Sequence, residues 1–155
     1  MKKIKLTMGF EAIVSDSDYE HVSKFRWFVV KKQYKKYAKT YHNKEYIYMH
    51  RMILKKPYID HINGDGLDNR IENLREATKS QNMANRGLQK NNQYGYKGIS
   101  FDKRPNMLKP WFSRIKVNGK QINLGRSETK EQAAKKYNDA AIKCFGEFAY
   151  LNVID

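Results

Sequence analysis

Four polar residues in the middle of the chain, Asp60, His61, Asn73 and Asn82, have the types and spacing that a hydrolytic site requires. Cutting a phosphodiester needs a base that activates water and a positive centre that stabilises the leaving oxygen. An imidazole can accept a proton near neutral pH, because its ordinary pKa is about 6.5. Carboxylate and amide oxygens are the ligands that Mg²⁺ prefers. The four residues could therefore combine a base with a divalent-metal site.

Each of these residues also has a simpler interpretation. An isolated Asp-His pair is usually a turn or a surface pair, and nearby polar residues can do no more than shape a loop. Two other histidines, His21 and His42, are expected to be ordinary surface or packing residues. The complete spacing of the four residues, in a basic chain, favours the catalytic interpretation.

The residues around the group predict the elements that position it. The sequence indicates a strand over 58–61, a polar loop over 63–69, a short strand over 74–76 and a helix over 78–86. Thr78 and Gln81 fit a capping box at the start of that helix. Adjacent strand residues point to opposite faces, so Asp60 and His61 can share a direction only where the strand ends. The glycines at 64 and 66 are compatible with such an ending.

This pattern resembles a known family. Asp60-His61-Ile62-Asn63-Gly64, then Asn69-x-x-x-Asn73-Leu74-Arg75, then Asn82 are similar to the core of HNH endonucleases, in the H-N-N variant of phage and mobile-intron homing endonucleases. The resemblance implies that His61 is the general base, that Asn73 orients its imidazole, and that Asp60 and Asn82 bind one Mg²⁺ or Mn²⁺ per active site. Met49-His50-Arg51 resembles the lead-in to that core, which makes His50 and Arg51 candidate phosphate contacts. Arg51 could equally be a general DNA contact or a solvated charge.

Short apolar pieces separated by polar turns occupy the chain before this core. They predict an antiparallel β subdomain with strands near 4–6, 12–14, 27–30, 37–41 and 46–49. The Asp16-Ser17-Asp18 cluster indicates a short capped helix over 19–25.

The last third of the chain predicts a small sheet covered by a helix. Three strands are indicated over 96–101, 110–117 and 120–124, and Asn118-Gly119 is a strong hairpin signal. A helix follows, with Thr129 and Gln132 as a capping box and Gly146 as its stop. Small residues at helical spacing would let this helix lie close against the sheet.

These residues resemble the APETALA or ethylene-response-factor type of DNA-binding domain. The matching pieces are Tyr96-Lys97-Gly98-Ile99, Trp111-Phe112-Ser113-Arg114-Ile115, Ile122-Asn123-Leu124-Gly125, the helix around Ala133-Ala134, and Gly146-x-Phe148-Ala149-x-Leu151-Asn152. In that family the sheet enters the major groove. The resemblance implies DNA contacts by Lys97, Ser100, Lys103, Arg104, Arg114, Lys116, Gln121 and Asn123. For most of the cations, phosphate contact without sequence choice is the simpler alternative.

Composition limits the classes of protein that fit. The chain has 155 residues, enough for two small modules, and its net charge of +15 favours a polyanionic partner. The one cysteine, Cys144, excludes an intramolecular disulfide and makes a structural zinc site unexpected. The apolar runs are too short to cross a membrane or to direct export, so we expect a cytoplasmic protein of a bacterial or phage-infected cell.

The sequence thus predicts an α+β fold. A ββα-metal (His-Me finger) nuclease module with an N-terminal antiparallel β subdomain precedes a three-stranded antiparallel sheet packed on one helix. The expected divisions are 1–54 for the β subdomain, 55–87 for the catalytic core, 88–95 for a linker and 96–155 for the DNA-binding domain.

The expected function is sequence-directed, metal-dependent cleavage of double-stranded DNA by a homing-type endonuclease. The protein would act as a monomer or dimer on DNA, with no membrane association and no protein partner implied. A non-catalytic DNA-binding regulator on a nuclease scaffold is the alternative. An RNA-binding protein is a third hypothesis, because aromatic residues make up 13% of the chain.

Overall fold

Short strands joined by polar loops dominate the structure, as the sequence pattern predicts. The computed structural model describes residues 1–32 and 35–154, and the chain divides into two units, Met1–Thr78 and Lys79–Asp155. The boundary lies ahead of the linker expected at 88–95, so the helix that follows Thr78 belongs to the second unit. The mixture of small antiparallel sheets and helices confirms the α+β class, whereas the ββα-metal arrangement stays a prediction.

The first unit contains three small sheets and two helices among the described residues. Its elements are β1 (Lys2–Lys5), β2 (Glu11–Val14), α1 (Asp16–Val22), β3 (Phe28–Lys32), β4 (Lys35–His42), β5 (Glu45–Tyr48), α2 (Met49–Leu54), β6 (Ile59–His61), β7 (Asp68–Asn69) and β8 (Leu74–Glu76). The sheets have the orders β1-β2-β7, β3-β4-β5 and β6-β8. All neighbouring strands are antiparallel except β2 and β7.

Two helices of this unit differ from the sequence prediction. The strand expected over 46–49 ends at Tyr48, because Met49, Met52 and Ile53 have i, i+3, i+4 spacing and α2 turns them towards the core. Helix α1 begins at Asp16 instead of Tyr19, which places acidic side chains in its first turn, at the positive end of the helix.

The core of the first unit forms where α1, α2 and the sheets meet. Val14, Val22 and Met49 have no exposed surface, and Trp27 is 2% exposed. The Trp27 indole Nε1 donates a hydrogen bond of 2.7 Å to the Val22 carbonyl, so its one polar group is satisfied inside the core. This core supports the loop that follows β6, because β2 pairs with β7 inside that loop.

The second unit consists of α3 (Lys79–Ala84), β9 (Ile99–Phe101), β10 (Trp111–Val117), β11 (Lys120–Ser127), α4 (Lys130–Phe145) and a 3₁₀ turn, Gly146–Phe148. The antiparallel sheet has the order β9-β10-β11, and α4 packs on it. Asn118 and Gly119 both have positive φ, 49° and 84°, as the expected hairpin turn requires. Thr129 caps α4 by accepting from the Gln132 backbone N–H at 3.2 Å, which confirms this start signal.

Close contact between sheet and helix depends on Gly98, which precedes β9. Gly98 has φ +77°, and a Cβ there would overlap the Tyr137 ring and lie 2.8 Å from the Arg114 carbonyl oxygen. Tyr137 is 4% exposed and lies on the face of α4 that also buries Ala133 and Ala134. Only glycine at position 98 therefore lets α4 pack this closely on the sheet.

We expect Gly98→Ala to lower the free energy of unfolding by about 3 kcal/mol or more, since backbone strain adds to overlap with a buried ring. Gly95→Ala is the matched control, because Gly95 has φ +76° but nothing within 4 Å of its ideal Cβ. That control should lose only about 1 kcal/mol. Chemical denaturation of both variants measures the difference, and equal losses would contradict the packing requirement.

Candidate active site

The loop between β6 and β8 is held by its own polar side chains. The Asn63 Oδ1 accepts from the Asp65 backbone N–H at 2.9 Å, and the Asp65 Oδ1 accepts from the Leu67 N–H at 3.0 Å. Such Asx turns fix a loop locally, without help from a core. The Leu67 carbonyl in turn accepts from the Ile13 N–H at 2.9 Å, which ties the loop to β2.

Asn73 joins the two ends of this loop. Its side-chain Nδ2 donates to the Asp68 carbonyl at 2.7 Å and to the Asn63 Oδ1 at 3.0 Å, while its Oδ1 accepts from the Asn63 N–H at 3.0 Å. That Asn73 orients the His61 imidazole stays a prediction, because the hydrogen bonds of its side chain are made within the loop. The amide of Asn73 is used to close the loop.

Asn69 is the residue that contacts the His61 ring. The Asn69 Oδ1 lies 3.3 Å from the His61 Nε2, and the Asn69 Nδ2 donates to the Leu67 carbonyl at 3.1 Å. The hydrogen bond to the Leu67 carbonyl fixes the orientation of the Asn69 amide, so the Asn69 oxygen faces the His61 ring. An amide oxygen can only accept, and His61 Nε2 must therefore carry the hydrogen. The neutral ring then has its basic lone pair on Nδ1.

The surroundings of His61 favour the neutral imidazole. The ring is 4% exposed, and burial lowers its pKa below the usual value of 6.5. The hydrogen bond that His61 donates to the Asn69 Oδ1 raises this pKa, as do the charges of Asp60 and Asp65, whereas the positive charge of Lys35 lowers it further. A neutral ring is the form that can accept a proton.

His50 lies beside His61 in a cluster of rings. The centroids of the two imidazoles are 5.0 Å apart, Tyr48 stacks on His50 at 5.3 Å, and Tyr37 lies 5.9 Å from each histidine. Burial lowers the pKa of His50 to about 3, and the charges of His61 and Arg51 add to the shift. Its Nδ1 is buried without a hydrogen-bond partner among the described residues. His50 can therefore offer a phosphate a hydrogen bond but no positive charge.

Arg51 is the charged member of the candidate phosphate contacts. It is exposed on α2, and its guanidinium carbon lies 5.9 Å from the centre of the Tyr48 ring. Because Tyr48 also stacks on His50, this exposed cation lies on the same side as the histidine pair and is available to an anion there.

Asp60 forms a buried ion pair with Arg75 on the neighbouring strand. The two residues face each other in the β6–β8 register, and the Asp60 Oδ2 accepts from Arg75 Nε at 3.1 Å and from Nη2 at 2.9 Å. Asp60 is 2% exposed, so a cation next to it offsets the cost of burying a carboxylate.

The other predicted metal ligand, Asn82, is half-buried on α3 in the second unit. Within residues 1–32 and 35–154, no group of three or more His, Cys, Asp or Glu side chains is arranged to hold a metal. A metal ion here would therefore depend on amide, water or substrate oxygens beside the Asp60 carboxylate. A carboxylate and an amide oxygen fit a hard divalent cation that keeps several waters.

The sheet of the second unit presents one polar face. Residues directly opposite one another share a face, and the register pairs Arg114 with Asn123, Lys116 with Gln121, and Phe112 with both Ser100 and Arg126. Ile99, Ser113 and Ile115 lie on the other face and are buried against α4. The register brings together five of the predicted contact residues, Ser100, Arg114, Lys116, Gln121 and Asn123.

The polar face is preorganised by an aromatic ring. The Arg114 guanidinium lies 4.7 Å from the centre of the Phe112 ring and donates to the Ser100 Oγ at 3.2 Å. Arg126 approaches the same ring at 5.7 Å and pairs with Asp102 at 2.7 Å. Arg104 also pairs with Asp102 at 2.7 Å, and both guanidinium groups hold the pKa of that carboxyl well below its usual range. Lys103 is exposed in the same turn.

The Lys97 side chain lies apart from the other predicted DNA-contact residues. Its Nζ donates to the Ala84 carbonyl and, at 2.7 Å, to the Arg86 carbonyl, and it lies 5.3 Å from the centre of the Tyr150 ring. Burial lowers the pKa of Lys97 to about 8, and the charge of Arg86 contributes. Lys97 therefore satisfies carbonyls at the end of α3, where a cation is favourable, instead of facing the polar side of the sheet.

Three residues of these surroundings were missed by sequence reasoning. Asn69 and Arg75 lie inside the motif, but the spacing alone does not favour Asn69 over Asn73 as the partner of the imidazole and does not indicate that Arg75 pairs with Asp60. Arg126 lies on the polar face only because β11 has a register shift beside Arg114, so simple alternation along the strand does not place it there.

Comparisons with known proteins agree with the motif that the sequence shows between residues 60 and 82. A family model described as HNH endonuclease matches residues 48–84. An uncharacterised HNH endonuclease of Acanthamoeba polyphaga mimivirus is 32% identical over 152 residues, which is 95% of this chain and 77% of that protein. Protein 3.8 of Escherichia phage T7 is 35% identical over 97 residues, which is 63% of this chain and 77% of that protein. No solved structure matches the chain significantly.

The buried ion pair gives a stability prediction. We expect Arg75→Met to lower the free energy of unfolding by about 3 kcal/mol, because the Asp60 carboxylate loses its guanidinium inside the unit. The double variant Asp60→Asn with Arg75→Met should regain part of this loss, since the buried charge is removed too. Arg26→Met, at an exposed arginine of the same unit, is the control and should change stability by less than about 0.5 kcal/mol. Denaturant titrations measure the free energy of unfolding of each variant. If Arg75→Met changes it no more than Arg26→Met does, the Asp60–Arg75 ion pair does not stabilise the unit.

Proposed function

We propose that this chain, which belongs to the HNH endonuclease family, is a homing-type endonuclease that hydrolyses phosphodiester bonds in double-stranded DNA with Mg²⁺ or Mn²⁺. The family membership follows from the match over 95% of the chain and from the motif matched at residues 48–84. The substrate, the metal and the homing character are our proposal. The main support for the proposal is the hydrogen bond between His61 and Asn69. This bond places the hydrogen of the buried ring on Nε2 and its lone pair on Nδ1.

In this proposal His61 is the general base. Its Nδ1 takes a proton from the attacking water, while Asn69 holds the Nε2–H and so keeps the ring in one tautomer and one orientation. Asn73 supports the same geometry indirectly, because it closes the loop that carries Asn69. The low pKa of His61 favours the neutral ring at neutral pH.

Asp60 and Asn82 would hold the divalent cation, which supplies positive charge to the phosphate and to the leaving oxygen when bound. The support from the first unit is the carboxylate of Asp60 next to His61, and a bound cation would share this carboxylate with Arg75. Arg51, exposed on α2, contributes a charge to the phosphate, and the neutral His50 contributes a hydrogen bond.

The second unit would bind the DNA outside the cutting site. Support comes from its polar sheet face, where Arg114, Lys116, Gln121 and Asn123 lie together and Arg126 adds a further cation. Arginine can contact guanine, and glutamine or asparagine can contact adenine, so such a face can read sequence as well as bind phosphate. Lys103 and Arg104 would add phosphate contacts from the neighbouring turn. We propose that this unit acts like the APETALA type of DNA-binding domain.

The test is cleavage of supercoiled plasmid that carries a library of candidate target sites. We expect nicked or linear product with Mg²⁺, none with EDTA, and a loss of at least about a hundredfold in rate for His61→Ala, because the general base is removed. Asn69→Ala should lose about tenfold or more, since the ring is no longer held. Gel separation of the plasmid forms over time gives the rates.

His21→Ala is the matched control, because it removes an exposed histidine of the same unit and should cut at the wild-type rate. Binding to the same plasmid is measured in parallel by mobility shift. DNA that is shifted but never cut with any divalent metal would overturn the nuclease proposal in favour of a DNA-binding regulator. Tighter binding of RNA than of duplex DNA would overturn the proposed substrate.

A further inference from the structure

The sheet β3-β4-β5 carries a row of aromatic side chains on one surface, which we call the aromatic face, formed by Phe28, Tyr37, Tyr41, Tyr46 and Tyr48. The register places them together, because Phe28 and Tyr48 both lie opposite Lys39, and Tyr41 lies opposite Tyr46. Ala38 and Thr40 alternate with them and are buried on the other side of β4. The aromatic face is therefore the outer side of this sheet.

The rings at the far end of the aromatic face are open to solvent. Tyr41 is 58% exposed and Tyr46 is 62% exposed, although their centroids are 4.9 Å apart. A cross-strand pair of this kind can stabilise a sheet, but that role does not require either ring to keep more than half of its surface uncovered. Aromatic surface left exposed in this amount is typical of an interaction site.

The aromatic face is also strongly basic. The strand register places Lys32, Lys35 and Lys39 on the same side of the sheet as these rings. The Lys39 ammonium lies 3.9 Å from the centre of the Tyr46 ring and 5.5 Å from that of Tyr48. Cations interleaved with exposed rings match a partner that has both negative charge and flat apolar surfaces, which is the chemistry of nucleotides.

The aromatic face is continuous with the candidate base. Tyr48 stacks on His50 at 5.3 Å with an angle of 19° between the rings, and His50 lies 5.0 Å from His61. Tyr37 contacts His61 directly at 5.9 Å. A strand that lies along the aromatic face would therefore lead to the place where His61 acts.

We propose that the aromatic face binds unpaired nucleotides of the DNA strand next to the cutting site. An intact duplex covers both faces of each base by stacking, so exposed tyrosines gain little from it. An unpaired base can stack on Tyr41 or Tyr46, while the lysines balance the phosphates. The inference rests on the proposed function, and it names as preferred substrate a DNA that is locally unpaired beside the scissile bond.

The test compares two DNA molecules of the same sequence, one fully paired and one with a short unpaired segment. Fluorescence anisotropy is measured with the full chain in EDTA, so that binding is observed without cutting. We expect wild-type protein to prefer the unpaired DNA. Tyr46→Ala and Tyr41→Ala should each weaken binding of the unpaired DNA about tenfold and change binding of the paired DNA by less than about twofold.

Two variants control for other effects. Tyr46→Phe keeps the ring and should keep the preference, because stacking does not need the hydroxyl. Tyr58→Ala removes another exposed tyrosine of the same unit, 51% exposed and outside the aromatic face, and should bind as wild type does. Equal binding of the two DNA molecules by wild-type protein, or equal effects of Tyr46→Ala and Tyr58→Ala, would overturn the inference.

A second measurement needs no variant. A photoreactive halogenated uracil placed in the unpaired segment should crosslink to Tyr41 or Tyr46 of the wild-type chain, as identified by mass spectrometry of the peptides. The same base in the paired DNA should not crosslink there, and crosslinks confined to the second unit would contradict the inference.

Metal-dependent plasmid cutting with no preference for unpaired DNA would overturn this inference alone, whereas a preference without any cutting would overturn the proposed function alone.

Discussion

The hydrogen bond between Asn69 and the His61 ring is the constraint around which the first unit is organised. The Asn69 side chain is completely buried, and its amide has one orientation because the Leu67 carbonyl accepts its N–H. The loop that carries Asn69 is fixed by Asx turns, by Asn73 and by the pairing of β7 with β2. A rigid frame of this kind sets the tautomer of a histidine before any substrate arrives.

Buried polar groups also lie beside that frame. His50 stays neutral because its pKa falls to about 3, and Asp60 is held by Arg75. In the proposed function, the positive charge at the phosphate would therefore come from exposed residues such as Arg51, or from a cation bound at Asp60. The described part of the chain contains no helix long and apolar enough to span a membrane.

Much of the fold and part of the site follow from the sequence. Alternation, the Asn118-Gly119 turn and the Thr129 cap predict the second unit's sheet and helix, because these signals act locally. The motif identifies Asp60 and His61, but it cannot tell which asparagine meets the ring, since this depends on the path of the loop. The contact of the Lys97 side chain with the Tyr150 ring joins segments that are distant in the sequence, so residue spacing within a motif does not predict it.

The most direct test of this account is the tautomer of His61 in solution. Long-range proton–nitrogen correlation spectra of protein labelled with ¹⁵N-histidine distinguish a hydrogen on Nε2 from one on Nδ1, and His61→Gln assigns the signals. The account predicts a neutral ring with its hydrogen on Nε2, and a loss of this single form in Asn69→Ala. A neutral ring with its hydrogen on Nδ1 in the wild-type protein would contradict it, because the proposed basic nitrogen would then carry a proton.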